Sequence, residues 1–166
     1  MALERGLIDT FANHAEHGVP IADVIERQLP LVEGRHWCIS VIAGANDLLA
    51  PRCDLDALAT RVDAAMDAAL TRADVVLTST CPDFFARRSA RLSRLSARVD
   101  ALNAHVRRRE ISAAGRIAVM DAHALLGDPT LWDADGLHPN PDGHAELARR
   151  ALAALATLLG DAAPGR

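Results

Sequence analysis

A layered α/β fold built around a parallel sheet is the architecture this sequence predicts, and three observations predict it. Three short runs rich in Val and Ile, His36 to Ala43, Asp74 to Thr80 and Arg116 to Asp121, each end at polar or turn-forming residues, as buried parallel strands do. Longer stretches with helical periodicity separate them, and this alternation is the pattern of α/β proteins. No internal repeat or low-complexity linker breaks the order, and 166 residues suit one domain over positions 1–166.

The elements have local support in chain order. After the first run, Asp54 is a plausible N-cap for a helix in which Leu55, Leu58, Val62, Ala65, Met66 and Ala69 keep to one face. After the second, Leu92, Leu95, Val99, Leu102 and Val106 step by three and four, while Arg87, Arg88, Arg91, Arg94, Arg98 and Arg107 mostly fall elsewhere. Without interleaved aromatic residues, that basic face reads as solvated rather than as a nucleic-acid groove. The last helix opens at Asn140-Pro141-Asp142, with Asn as N-cap and Pro in first helical position, and closes at Gly160.

Composition narrows the function classes. Apolar residues make up 50% and charged residues 24%, which excludes disordered and collagen-like chains. The 18 basic and 22 acidic residues give a net charge of -4, so there is no global positive field to collect nucleic acid or anionic membrane, and neither is expected as a partner. Every basic residue is Arg and Tyr is absent, a bias to which no mechanism is attached. Cys38, Cys53 and Cys81 form no C-x-x-C pair, so reduced, mostly buried thiols are expected. Met1 to Asn13 carries Glu4 and Asp9 and no apolar leader core, no run is long enough to cross a bilayer, and a cytoplasmic location is expected.

In open α/β sheets ligands bind beyond the carboxyl ends of the strands, so function is sought just after each run. Gly44-Ala45-Asn46-Asp47 follows the first, where Gly permits a sharp turn and the Asn amide can donate to an oxyanion; the same tetrapeptide also makes an ordinary strand-to-helix turn. Asp135-Gly136-Leu137-His138-Pro139 leads into the last helix. Asp135 can accept the His138 ring N–H, set its tautomer and leave the other nitrogen free as a base, although D-x-x-H alone also describes a surface turn. Upstream, Asn13 precedes Gly18, whose backbone N–H has no side chain to block an approaching substrate. His14, His17, His138 and His144 raise a metal reading, but no carboxylate or Cys completes a ligand set, and neither metal nor cofactor is expected.

Taken together, these sites resemble the SGNH (GDSL-type) hydrolases, a family of serine esterases and lipases with a three-layer αβα, flavodoxin-like architecture. The matching elements stand in family order: Asn13 to Gly18, then Gly44-Ala45-Asn46-Asp47, then Asp135-x-x-His138-Pro139 with Gly143-His144. Val24 to Pro30 and Leu131-Trp132 also look like this family. The resemblance implies His138 as general base and acid, Asp135 as its orienting carboxylate, and Gly18 N–H and the Asn46 amide as oxyanion-hole donors. It also implies small-molecule carboxylic esters as substrates, acetylated sugars among them, hydrolysed through a Ser-His-Asp triad. Phe84, Phe85 and Trp132 are candidate pocket walls or core residues.

The chain departs from the family at one place. The nucleophilic Ser belongs to a Gly-Asp-Ser motif ending the family's first strand, yet Met1 to Ala12 contain no Ser and only Thr10 as a hydroxyl. Ser40 is expected to be buried mid-strand, Ser79 lies where the family places no nucleophile, and none is assigned. The expectation is a truncated domain, N-terminally incomplete and missing the first strand, from which a signal peptide could also have been lost. Such a chain retains at most a residual rate of roughly 10³–10⁴ over water, with unpaired apolar edges and poor solubility. The alternative is a non-catalytic relative that binds an acyl or glycan ligand; oligomeric state is unknown.

Overall fold

The computed structural model describes residues 10–83 and 95–161. Its sheet has three parallel strands in the order β1-β2-β3: β1 His36–Ser40, β2 Ala73–Ser79 and β3 Ile117–Met120. His36 pairs with Ala73 and Ser40 with Leu77 on one side of β2, and Val76 with Ile117 and Ser79 with Met120 on the other. The three predicted runs are these strands, trimmed by a few residues at their ends.

Helical segments fill the connections. Ile21–Asp23 (α1) continues as a π-helical turn, Val24–Gln28, and a 3-10 turn, Leu29–Leu31, before β1. Between β1 and β2 come α2 (Ala45–Leu48) and α3 (Leu55–Leu70), the latter capped by Asp54, whose carboxylate accepts from Asp56 N at 3.1 Å and Ala57 N at 3.0 Å. Helix α4 (Ser96–Ser112) links β2 to β3, and α5 (Pro141–Asp161) follows two 3-10 turns, His123–Gly127 and Pro129–Leu131.

The core lies between the sheet and helices α3 and α4. Leu58, Val62, Ala65 and Met66 of α3 and Val99, Leu102 and Val106 of α4 meet Ile39, Val41, Val76 and Ile117 in one buried cluster. These are the apolar positions whose spacing predicted the helices. Side chains alternate across a strand, and Ala118 and Met120 are buried outside that cluster on β3, along which α5 packs. Helices thus cover both faces of the sheet, which makes the three layers.

That second layer is thin. Among the α5 residues whose burial is described, only Gly143 is buried, and the stripe Leu147, Ala151, Ala154, Leu155 and Leu158 is half-covered. Among the described residues nothing pairs with the outer edge of β1, and Trp37 and Ile42 stay 46% and 57% exposed. One expectation is corrected here: Ser40 is exposed, not buried, because it closes the uncovered edge strand.

Several arginines serve the fold. Arg72 Nη1 donates to the carbonyls of Leu29 and Val32 at 2.6 and 2.9 Å, Arg98 Nη1 to those of Leu48 and Ala50 at 2.7 and 2.9 Å, and Arg116 Nη2 to those of Leu70 and Ala73 at 2.9 and 2.8 Å. Most of these carbonyls lie at the ends of helices and turns, where backbone partners run out. Arg98 is therefore part of the packing, whereas Arg107 stays exposed and pairs with Asp121 at the surface, as a solvated face would; Arg87, Arg88, Arg91 and Arg94 lie outside the described residues. Cys81 is buried, Cys38 and Cys53 are half-buried, and all three are free thiols.

Candidate active site

The chain leaves β1 through Gly44, whose φ of 101° lies in the left-handed region that suits glycine; a Cβ there would sit 3.4 Å from Leu102 Cδ2. This turn starts α2 at once and directs Asn46 and Asp47 onto the segment before α1. Asn46 Nδ2 donates to the Val19 carbonyl at 3.1 Å, and Asp47 Oδ2 accepts from Ile21 N at 3.0 Å. The two bonds hold Gly18 to Ile21 against the carboxyl end of β1. Asn46, expected as a substrate-facing donor, is thus a strut for this segment, and its amide carries a second hydrogen beyond the one given to Val19. Gly18 has φ 75° and open space where a Cβ would stand.

The Asp135–His138 loop is a tight excursion between the 3-10 turns and α5. Trp132 and Pro139 form an antiparallel bridge at its base, Asp133 N donates to the His138 carbonyl at 2.8 Å, and Gly136 turns the chain with φ 64°. Inside it, Asp135 Oδ1 accepts from Leu137 N at 2.8 Å and His138 N at 3.0 Å, while Oδ2 lies 2.7 Å from His138 Nδ1. The His138 backbone N–H, its ring and the Leu137 N–H hold the Asp135 carboxyl well below the usual carboxylate range. An ionised partner at Nδ1 makes that nitrogen the donor and leaves Nε2 with its lone pair. Both side chains are about half exposed, at 46% and 54%.

At the base of this loop Asn140 Oδ1 accepts from Gly143 N at 2.9 Å, so Asn140 is the N-cap of α5; its Nδ2 donates to the Thr130 carbonyl at 2.7 Å. Gly143 packs so closely that a Cβ would overlap the Leu131 carbonyl oxygen. Trp132 is 7% exposed and donates from Nε1 to the Leu125 carbonyl at 3.3 Å, which makes it a packing residue. Phe84 and Phe85 lie outside the described residues.

The two halves meet through His17. Its ring centroid stands 6.0 Å from that of His138, with the planes tilted by 38°. Gly18 and Asn46 on one side and Asp135 and His138 on the other thereby belong to one surface. His17 entered the sequence argument only as a metal candidate, and its position beside Gly18 was the one signal available. Among the described residues no three His, Cys, Asp or Glu side chains are grouped to hold a metal ion.

Beyond β2 and β3 lies a buried polar knot that sequence patterning did not reveal. Asn103 Oδ1 accepts from Cys81 N at 2.6 Å and its Nδ2 donates to the Cys81 carbonyl at 2.8 Å, as a neighbouring strand would. Thr80 Oγ1 donates to Asp121 Oδ1 at 2.9 Å and accepts from His123 N at 2.9 Å. Burial, with Asp83 adding, pushes the Cys81 thiol up to about 12, so Cys81 is not a nucleophile at neutral pH. A cavity of about 460 Å³ between α5 and the 3-10 turns is lined by Leu125, Leu131, Glu146 and Arg149 among others, and by none of the four candidate residues. No helix among the described residues is long and apolar enough to cross a membrane.

Comparison with known proteins supports the fold and identifies a family. No curated protein sequence matches the chain. Among solved structures, a lipolytic protein of the G-D-S-L family from Veillonella parvula DSM 2008 is similar with TM-score 0.65 and 20% identity, over 91% of this chain and 84% of that one. A family 3 carbohydrate esterase from Talaromyces cellulolyticus is similar with TM-score 0.61 and 17% identity, over 88% and 70%. Axe2-W215I, an acetyl xylan esterase from Geobacillus stearothermophilus, has TM-score 0.61 and 15% identity, over 83% and 68%. At these identities the structures speak for the fold. A sequence profile matches residues 2–146, and by that match the chain belongs to the GDSL-like Lipase/Acylhydrolase family.

Proposed function

We propose that this chain carries the proton-transfer half of an ester-hydrolysing site. His138 takes and returns the proton at Nε2, Asp135 orients the ring and stabilises the imidazolium, and Gly18 N–H and the second hydrogen of the Asn46 amide meet the oxyanion. The observation that carries this reading is the Asp135 Oδ2–His138 Nδ1 contact of 2.7 Å, with the other carboxylate oxygen tied to two backbone N–H groups. Ester hydrolysis is the family's chemistry. Short-chain esters of small molecules are the substrate class, and the carbohydrate and acetyl xylan esterases among the neighbours make acetylated sugars the first set to try.

Among the described residues the only side chain hydrogen-bonded to His138 is that of Asp135. A hydroxyl within reach of the base is what the serine mechanism requires, so a low rate is expected, no more than roughly 10³–10⁴ over water. Hydrolysis of p-nitrophenyl acetate, compared with His138→Ala and Asp135→Asn, tests the assignment. A rate above buffer that falls to the buffer value in both variants supports it; a rate indifferent to His138 defeats it. That no hydroxyl among the described residues is hydrogen-bonded to His138 also favours a second reading, a non-catalytic ligand-binding relative. Its signature is thermal stabilisation by acetate or acetylated sugars with no His138-dependent turnover.

A further inference from the structure

Residues 10–20 run along the surface with no buried residue among them, and the chain first enters the core at Ile21, which is 1% exposed. Packing therefore does not place Gly18, whose N–H has no acceptor among the described residues. Polar ties place it instead. Glu16 pairs with Arg27, but both side chains are about half exposed, and an ion pair so wet holds little. The firmer ties come from the first turn of α2. Asn46 Nδ2 donates to the Val19 carbonyl at 3.1 Å and Asp47 Oδ2 accepts from Ile21 N at 3.0 Å, so neighbouring side chains grip an acceptor and a donor two residues apart. Of these bonds the one to Asp47 is half-buried and the one from Asn46 exposed, so water competes less for the first.

Asp47 also carries a charge that needs a reason. Its carboxylate is one residue from the amide assigned to the oxyanion, where a second negative charge opposes the one to be stabilised. No cation pairs with it among the described residues. What it gains is a charge-assisted bond to the Ile21 N–H.

We propose that Asp47 is a positioning residue for both oxyanion donors, an inference that rests on Gly18 N–H and the Asn46 amide being those donors. By holding Ile21 N, it fixes α2, which bears Asn46, against the stretch that bears Gly18. Pro20 passes the hold along: its ring locks φ, here -74° with ψ 164°, so Val19 alone separates Gly18 from a stiff residue joined to the anchored Ile21. Without Asp47, the exposed Asn46–Val19 bond is left to hold the two donors at one spacing. Asp47 itself touches neither ester nor proton.

Acetate is the probe, because its carboxylate offers the two donors the kind of charged oxygen that they are assigned to meet, and its binding needs no turnover. The whole chain, labelled with 15N, is titrated while the Gly18 amide and the Asn46 side-chain amide resonances are followed. In the wild type both should move and saturate with one Kd. Asp47→Ala should weaken that Kd by roughly three- to tenfold, the size of one hydrogen bond, and should displace the Gly18 resonance before acetate is added. Asp47→Asn keeps an acceptor for Ile21 N and should recover most of the loss. Asp47→Glu keeps the charge but moves the acceptor by a methylene, and should bind acetate more weakly than Asp47→Asn. Asp56→Ala removes an exposed carboxylate on α3 that has no partner among the described residues, and should match wild type. A wild-type Kd and Gly18 resonance in Asp47→Ala overturn the proposal and leave the donors as assigned; so does a loss as large in Asp47→Asn as in Asp47→Ala. Wild-type Gly18 and Asn46 resonances that ignore acetate remove the donor assignment, and the proposal with it.

Discussion

Replacing Gly143 by Ala should destabilise the protein, although it exchanges the poorest common helix former for the best within a helix. By propensity alone the change would stabilise by about 0.8–1.0 kcal/mol. At Gly143, however, the added Cβ would overlap the Leu131 carbonyl oxygen and lie 2.9 Å from Pro139 Cβ. Carbon atoms rest at about 3.5–4.0 Å, so the first turn of α5 must retreat by roughly 0.5–1 Å. Three bonds span that contact: Asn140 N to the Leu131 carbonyl at 3.0 Å, and Asn140 Nδ2 to the carbonyls of Thr130 at 2.7 Å and Trp132 at 3.3 Å. Overpacking costs about 1–3 kcal/mol and each weakened bond about 0.5–1.5 kcal/mol, so the net loss should be about 2–4 kcal/mol. For a domain of this size that is a fall in melting temperature of roughly 5–12 °C. Gly160→Ala, in the same helix with nothing within 4 Å of its would-be Cβ, should be neutral or slightly stabilising. Because His138 hangs from the same loop, Gly143→Ala should also lower any His138-dependent hydrolysis measured below the melting transition. Differential scanning calorimetry of the two variants decides the matter. A Gly143→Ala protein as stable as wild type would show that the loop and helix are not in the close contact that the argument requires.

Other outcomes follow from the same geometry. Asn103→Leu leaves the buried Cys81 N–H without its acceptor and weakens the bonding of its carbonyl, so urea unfolding should show a loss of about 2–4 kcal/mol; a loss under about 0.5 kcal/mol would show that the knot is dispensable. Cys81, with its thiol pushed up to about 12, should resist Ellman's reagent in the folded protein and react once it unfolds, while half-buried Cys53 reacts earlier. Asp135 has its folded-state pKa depressed, so its contribution to stability is complete above the ordinary carboxylate range near about 4 and is fully lost only once pH has fallen through the folded-state value, well below that range. The amide resonances of Leu137 and His138 should report that acid transition, and Asp135→Asn should abolish it.

Much of the fold was legible because it rests on local pattern. The alternation of apolar runs and amphipathic stretches is written within windows of a dozen residues; Asp54 and Asn140 mark helix starts by bonds that reach only three residues, and Pro141 does so by its fixed φ. The Asp135–His138 pair is of the same kind, since a carboxylate three positions before an imidazole closes on it through its own turn. The burial of Ser40 was misjudged because exposure depends on what lies beside a strand, and the outer edge of β1 is uncovered. Trp132 was equally compatible with pocket and core until its indole N–H was seen on the Leu125 carbonyl.

By itself, the sequence determined the order of strands and helices, the family resemblance and the composition of the dyad, because periodicity and short-range hydrogen bonding are properties of neighbouring residues. Only the tertiary structure decided that His17 faces His138, that the Asn46 amide braces Val19, and that Gly143 must lack a side chain. Those contacts join residues far apart in the chain, and the packing of helices on both faces of the sheet brings them together.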